Sequence, residues 1–136
     1  MQFSQGKPYI EKGSKFFGFF ANVESVAEFK TFMELVQKEH KKASHYCFAY
    51  IVNERKAGEQ LSLFDDRVYK EKCSNAGEPS GCGNALLTLL KSNKIENGAI
   101  IVVRYFGGVL LGSGNLIRAY ATAGKNAFNI KHDSYS

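Results

Sequence analysis

The chain has no tryptophan, only two prolines (Pro8 and Pro79) and only three cysteines among its 136 residues. Each scarcity excludes something. With so little proline there is no Pro-rich linker, and no repeat or low-complexity tract takes its place. Cys47, Cys73 and Cys82 are odd in number and show no CxxC spacing, which argues against a disulfide framework or a zinc site and favours a reducing setting. No secretory signal precedes them, so a cytoplasmic location is expected. No apolar run approaches the roughly 18 residues that a membrane span needs. What remains is an ordinary globular composition. It is 44% hydrophobic, with 11 Phe and 7 Tyr to fill a core. A length of 136 residues suits one domain, with 1–10 and 131–136 read as tails. Eighteen Lys and Arg against 13 Asp and Glu give a net charge of +5, which fits an acidic partner such as RNA without requiring one.

The apolar spacing predicts the elements. Phe16–Val23 reads as a strand, with 17, 19, 21 and 23 apolar at period two. Ser25 to Glu28 forms a capping box, and the helix it opens runs to about Lys41. Val26, Phe29, Met33 and Val36 recur at helical spacing, widened by Phe32 and Leu35. Tyr46–Val52 is apolar on both faces, as a central strand is. A weaker strand falls near Val68–Lys72. A Gly/Pro/Ser loop over Asn75–Gly83 leads into a Leu-rich helix. Ile100–Val103 is a buried β-branched strand, and from Gly114 the pattern is helical again, with Ile117, Ala121, Gly124 and Phe128 on one face. The expected fold is α+β: a two-layer α/β sandwich in which helices cover one face of a mixed sheet.

Two glycine-rich loops each enter a helix. The first is Asn75 to Gly83, the second Gly107 to Gly114 between Arg104 and Arg118. Glycines let a ligand approach the backbone, and a helix start offers free amides, so an anion site is one reading. Tight turns and close helix–sheet packing are the other. Ser113 stands where a Walker loop needs Lys, and Ile117 where a dinucleotide fingerprint needs Gly or Ala, so neither named nucleotide motif is present. Arg104 ends a buried strand, where a charge is costly unless paired. It either pairs internally, with Glu78 as the candidate, or faces a partner. His45 at a strand start is a surface or capping residue, or alternatively a catalytic one. Cys82 near a helix start, with His45, could imitate a nucleophilic pair, though burial is the commoner fate of cysteine. Glu78 and Asp65-Asp66 give no acid–base or metal constellation.

Four stretches resemble the IMPACT/YigZ family. They are Gly77-Glu78-Pro79-Ser80-Gly81, Val103-Arg104-Tyr105-Phe106-Gly107-Gly108, Leu110-Leu111-Gly112-Ser113-Gly114 and Leu116-Ile117-Arg118-Ala119-Tyr120. Lys12–Phe19 and His45–Tyr50 add weaker matches, and the resemblance covers about residues 10–128. It implies a fold like the second domain of ribosomal protein S5. It also implies a role in translational control, since eukaryotic IMPACT members bind the activator of the amino-acid-starvation kinase. Bacterial YigZ-like members carry a second, ferredoxin-like domain and have no settled function. The chain departs from the family where Asn75-Ala76 replaces a usual acidic residue, where Cys82-Gly83-Asn84 replaces Thr-Ala-Gly, and where Asn115 follows Gly114 in place of a second glycine. The eukaryotic RWD domain and the bacterial second domain have no counterpart in these residues, so the domain acts alone or belongs to a longer protein.

Three functions follow as expectations. The first is a non-enzymatic regulatory or interaction domain with a protein partner in translational control. The second is direct RNA or ribosome binding, by guanidinium groups beside an exposed Tyr105. The third is a small hydrolase on His45, Glu78, Ser80 and Cys82. The residues expected at a partner or anion site are Lys15, His45, Glu78, Ser80, Arg104, Tyr105, Gly107, Gly108, Gly112, Gly114 and Arg118. No catalytic residue, metal or cofactor is assigned.

Overall fold

The computed structural model describes residues 1–55 and 67–133. In chain order the elements are β1 (Ser4–Gln5), β2 (Tyr9–Glu11), β3 (Ser14–Ala21), α1 (Val26–Glu39), β4 (His45–Arg55), β5 (Arg67–Ser74), α2 (Cys82–Ser92), β6 (Gly98–Tyr105) and α3 (Ser113–Asp133). The strands form one sheet in the order β1-β3-β6-β4-β5, with β2 also pairing to β3. The α+β class stands. Among the described residues the sheet is not mixed, however: every pairing is antiparallel. The lead-in expected as a tail is also part of it, since Ser4 pairs with Phe20 and Tyr9 with Phe16. At the other end α3 continues to Asp133, and 134–136 lie outside the described residues. So does most of the ambiguous stretch 61–71.

The helices do not share one face. Alternation along β3, β4 and β6 explains why. Phe16, Phe20, Cys47, Ala49, Ile51, Ile100 and Val102 point to one side, where Leu86 and Leu90 of α2 and Tyr120, Ala123 and Ala127 of α3 cover them. Phe19, Ala21, Tyr50, Val52, Ile101 and Val103 point to the other, where Phe29, Phe32 and Val36 of α1 cover them. Both sheet faces are apolar, so both need a cover, each buried large side chain contributing about 1.5–3 kcal/mol. The strand order adds a constraint. α1 joins β3 to β4 across β6, and α2 joins β5 to β6 across β4. A half-turn about the sheet normal superposes these two crossovers. Two right-handed crossovers would therefore place both helices on the same face. Their opposite placement means that one is left-handed, against a rule obeyed in about 98% of cases.

Local signals set the element ends. Ser25 Oγ accepts from Glu28 N at 3.0 Å, closing half of the capping box. The Glu28 carboxylate reaches back to the Glu24 amide at 2.8 Å, one residue earlier than a standard box. On the α3 side, the expected helix face is rotated. Its buried stripe is Leu116, Ala119, Tyr120, Ala123, Ala127 and Phe128, so of the expected face Gly124 and Phe128 are buried while Ile117 and Ala121 lie half-buried at its edge. The close approach predicted from its small residues does occur. A Cβ at Gly18 of β3 would stand 2.1 Å from the Ala123 carbonyl oxygen.

Candidate functional site: a closed ion cluster beneath an apolar rim

β4 and β6 run side by side with His45 opposite Arg104. Both fall on the face covered by α2 and α3, and the 75–81 loop brings Glu78 between them. The Glu78 carboxylate is the centre. Its Oε2 accepts from Arg104 Nη1 at 2.6 Å and from the Tyr120 hydroxyl at 2.7 Å. Its Oε1 lies 3.1 Å from His45 Nε2. The other ring nitrogen, Nδ1, is 2.8 Å from the Ala76 carbonyl, so both nitrogens face oxygen acceptors. The side chains of Arg104 and Glu78 are each 5% exposed. This is a buried ion pair with a hydroxyl and an imidazole completing the carboxylate's shell. Arg104 Nη2 reaches Ser14 Oγ at 3.5 Å, while Nε is buried without a hydrogen-bond partner. The guanidinium carbon lies 5.6 Å from the Phe16 ring centroid and 5.4 Å from that of Phe106.

Above this cluster is a cleft of about 450 Å³. His45, Glu78 and Arg104 form its polar part. Pro79, Phe106, Leu110, Leu111 and Leu116 form its apolar walls, with Gly112 and Ser113 at one end. The two glycine loops therefore meet. A Cβ at Gly81 would stand 2.9 Å from Ile117 Cδ1, so the first loop presses on α3 directly.

The predicted residues separate into groups. His45, Glu78 and Arg104 come together at the cleft. Arg104 takes the internal pairing, so its charge is compensated rather than presented. Tyr105 and Lys15 pair across β3 and β6, but on the opposite face of the sheet. Tyr105 is half-buried there, its hydroxyl 2.7 Å from His40 Nδ1. Alternation by one residue thus divides Arg104 from Tyr105, and no shared guanidinium–aromatic surface forms between them. Arg118 is exposed on α3, 3.3 Å from Asn115 Oδ1. Ser80 is exposed on its loop. Of the glycines, Gly107 is a packing residue: its Cβ would meet the Gly13 carbonyl carbon at 2.1 Å. Gly108, Gly112 and Gly114 face open space, the first two at φ +91° and +82°.

Some residues were missed. Tyr120 is fully buried and bonds Glu78, yet it reads in sequence as one more apolar residue; its spacing four residues after Leu116 was the available signal. Asn75 accepts from the Gly83 amide at 2.7 Å, which caps α2 where Gly81 supplies no side chain. Cys47 donates to the Asn75 carbonyl at 3.1 Å. Burial pushes the Cys47 thiol up to about 12 and the Cys82 thiol up to about 11. Both are therefore neutral near pH 7, the opposite of an activated nucleophile. Burial likewise raises the Tyr120 hydroxyl. Among the described residues no group of three His, Cys, Asp or Glu is placed to hold a metal ion. No helix among them is long and apolar enough to cross a membrane.

Fold and site together define a class: an α+β domain with both sheet faces covered, whose two glycine loops close over a buried Glu–Arg–His–Tyr cluster. The chain belongs to the IMPACT family. The Impact N-terminal domain matches residues 12–128. The IMPACT family member YvyE of Bacillus subtilis (strain 168) is 35% identical over 121 residues, covering 88% of this chain and 50% of that protein. YigZ of Escherichia coli (strain K12) is 36% identical over 110 residues, covering 80% and 49%. The chain thus spans about half the length of these curated relatives. A crystal structure of a hypothetical protein superposes with a TM-score of 0.75 at 28% identity, covering 95% of this chain and 61% of that one. The two-domain translational regulator Yih1 shares the fold with a TM-score of 0.57 at 22% identity, over 93% of this chain and 46% of that one.

Proposed function

We propose that this domain is a non-enzymatic regulatory module that docks a protein of the translation-control machinery. The observation that carries the reading is an exposed apolar loop, two of whose residues, Phe106 and Leu110, line the cleft. Phe106, Val109 and Leu110 are 50%, 48% and 84% exposed. They are three of the six large exposed hydrophobic residues among those described, gathered within five positions of one loop. Such a cluster on a surface marks a place where something binds. The Glu78 carboxylate beneath it is fully engaged by Arg104, Tyr120 and His45, and the buried thiols are neutral, which suits recognition better than turnover. The direction toward translation rests on the family and on the shared fold of a translational regulator.

The test is a cell-free translation extract supplied with the chain. The unmodified chain is expected to change the rate of protein synthesis, and Leu110→Asp is expected to lose that effect. No effect of the chain, or an equal effect of Leu110→Asp, overturns the reading. An effect that survives Leu110→Asp but disappears in Arg118→Glu would point to nucleic-acid contact instead.

A further inference from the structure

The docking reading leaves open what kind of surface comes to the loop. We propose that the partner docks there through an acidic segment that carries a large apolar side chain. The inference deepens the docking reading and rests on it.

The first observation is where the antiparallel sheet gathers its cations. β6 ends at Tyr105 and runs straight into the apolar loop. β3 and β4 flank it and run the other way, so their first residues, and the turns that lead into them, lie at the base of the loop. The contacts are direct. Ser14 Oγ accepts from the Gly107 amide and Ser44 Oγ from the Phe106 amide, each at 3.1 Å. Those turns carry Lys12, Lys41 and Lys42, while Lys15 pairs opposite Tyr105. Arg118 follows closely on Leu116 of the cleft wall. All five cations are exposed.

The second observation is the distribution of counter-charge. Among the described residues none of these five cations makes an ion pair; Arg118 donates to the neutral Asn115 side chain. The lysines that do pair, Lys70 with Glu54 and Lys91 with Glu71, lie on β5 and near the end of α2. Glu24 and Glu28 stand where β3 leads into α1, at the other end of the sheet. At the loop's own end Glu78 is taken by Arg104, which leaves Glu11 and Glu39 against the five cations. Unpaired like charges gathered in one place raise the local concentration of an anionic partner and speed its approach.

The apolar side chains decide between kinds of anion. Val109 and Leu110 are aliphatic, with no ring face to stack on a base, and a phosphate backbone would leave them against water. The Tyr105 ring is half-buried, its hydroxyl held by His40. A bilayer takes side chains that protrude, whereas Phe106 and Leu110 border a concavity of about 450 Å³ together with Pro79, Leu111 and Leu116. A concave apolar site receives a side chain. Exposed ion pairs are individually weak, so the anchor in the cleft supplies most of the affinity and the lysines select the sign of the charge around it.

The experiment is amide-resolved NMR titration of the whole chain with acetyl-Glu-Asp-Leu-Phe-Asp-Glu-amide. Two control peptides carry Lys at each acidic position, or Ser in place of Leu and Phe. The acidic apolar peptide is expected to shift the Phe106, Val109 and Leu110 signals and those of Lys41 and Lys42. It should bind about tenfold more tightly than either control and weaken about fivefold between 50 and 300 mM salt. Lys41→Gln combined with Lys42→Gln is expected to weaken it several-fold while leaving the rest of the spectrum in place. Equal binding of the Lys control, an affinity indifferent to salt, or no shift at millimolar peptide overturns the proposal. So does movement of the same signals by phosphatidylglycerol vesicles, by poly-uridylate or by concentrating the chain alone when the acidic peptide moves none, which would give the surface to lipid, nucleic acid or a second copy. If the Lys control binds as well while the translation effect still depends on Leu110, the docking reading stands and only the acidic assignment falls.

Discussion

Glu78→Gln tests the cluster with the least change of shape. The carboxylate and Arg104 are each 5% exposed and 2.6 Å apart, so little solvent is available to screen the loss of charge. Removing one partner of a buried pair leaves the other uncompensated, which costs about 3–5 kcal/mol. The glutamine oxygen can still accept one bond, from Arg104 Nη1 or from the Tyr120 hydroxyl, but not with a full charge behind it. The expected loss is therefore at the lower end, about 3 kcal/mol. For a chain of this size each kcal/mol moves the midpoint by about 3–5 °C, so Tm should fall by about 10–15 °C. Urea unfolding followed by far-UV circular dichroism gives the free energy directly. A second arm separates lost pairing from lost packing. Glu78→Leu combined with Arg104→Met removes both charges and should be about 2 kcal/mol more stable than Glu78→Leu alone. A loss below about 1 kcal/mol in Glu78→Gln, or no recovery in the double variant, refutes a charge pair that holds the loop to the sheet.

The glycines divide by environment. Gly107→Ala collides with the Gly13 backbone and should cost more than about 2 kcal/mol, whereas Gly114→Ala, in open space within a helix, should gain about 0.5–1 kcal/mol in the same unfolding assay. Gly18→Ala should destabilise by about 3 kcal/mol, because α3 presses its Ala123 carbonyl onto that point of β3. Burial lowers the His40 pKa from 6.5, only partly opposed by the neighbouring Glu39 charge; its ring packs against Phe17, Phe19 and Tyr105. The unfolded chain then binds the extra proton first. The stability contributed is full above the unfolded value of 6.5 and is lost as pH falls through the lower folded value. Melting curves from pH 7.5 to 5 should thus fall more steeply for the wild type than for His40→Gln. Iodoacetamide at pH 8 should label half-buried Cys73 in the native chain well before Cys47 or Cys82, as read by mass spectrometry of timed samples.

Much of this protein was decided by its sequence alone, because the decisive forces act over a few residues. The Ser25 cap, the apolar stripe Phe29–Phe32–Val36 and the β-branched run into Arg104 each state their own conformation. The pairing of Arg104 with Glu78 was legible as one of two outcomes, since a charge that ends a buried strand must find a counter-ion. Tertiary structure decided the rest. Strand order and crossover hand put α1 on the far face of the sheet, which no local periodicity encodes. The pleat of the sheet sent Tyr105 and Lys15 away from the cleft, while the packing of α3 brought Tyr120 in from 42 residues beyond Glu78. Glycine shows the division most clearly. The sequence marks Gly107 and Gly112 alike as backbone without a side chain. Only the neighbour across space makes one a tight contact with Gly13 and leaves the other facing open space.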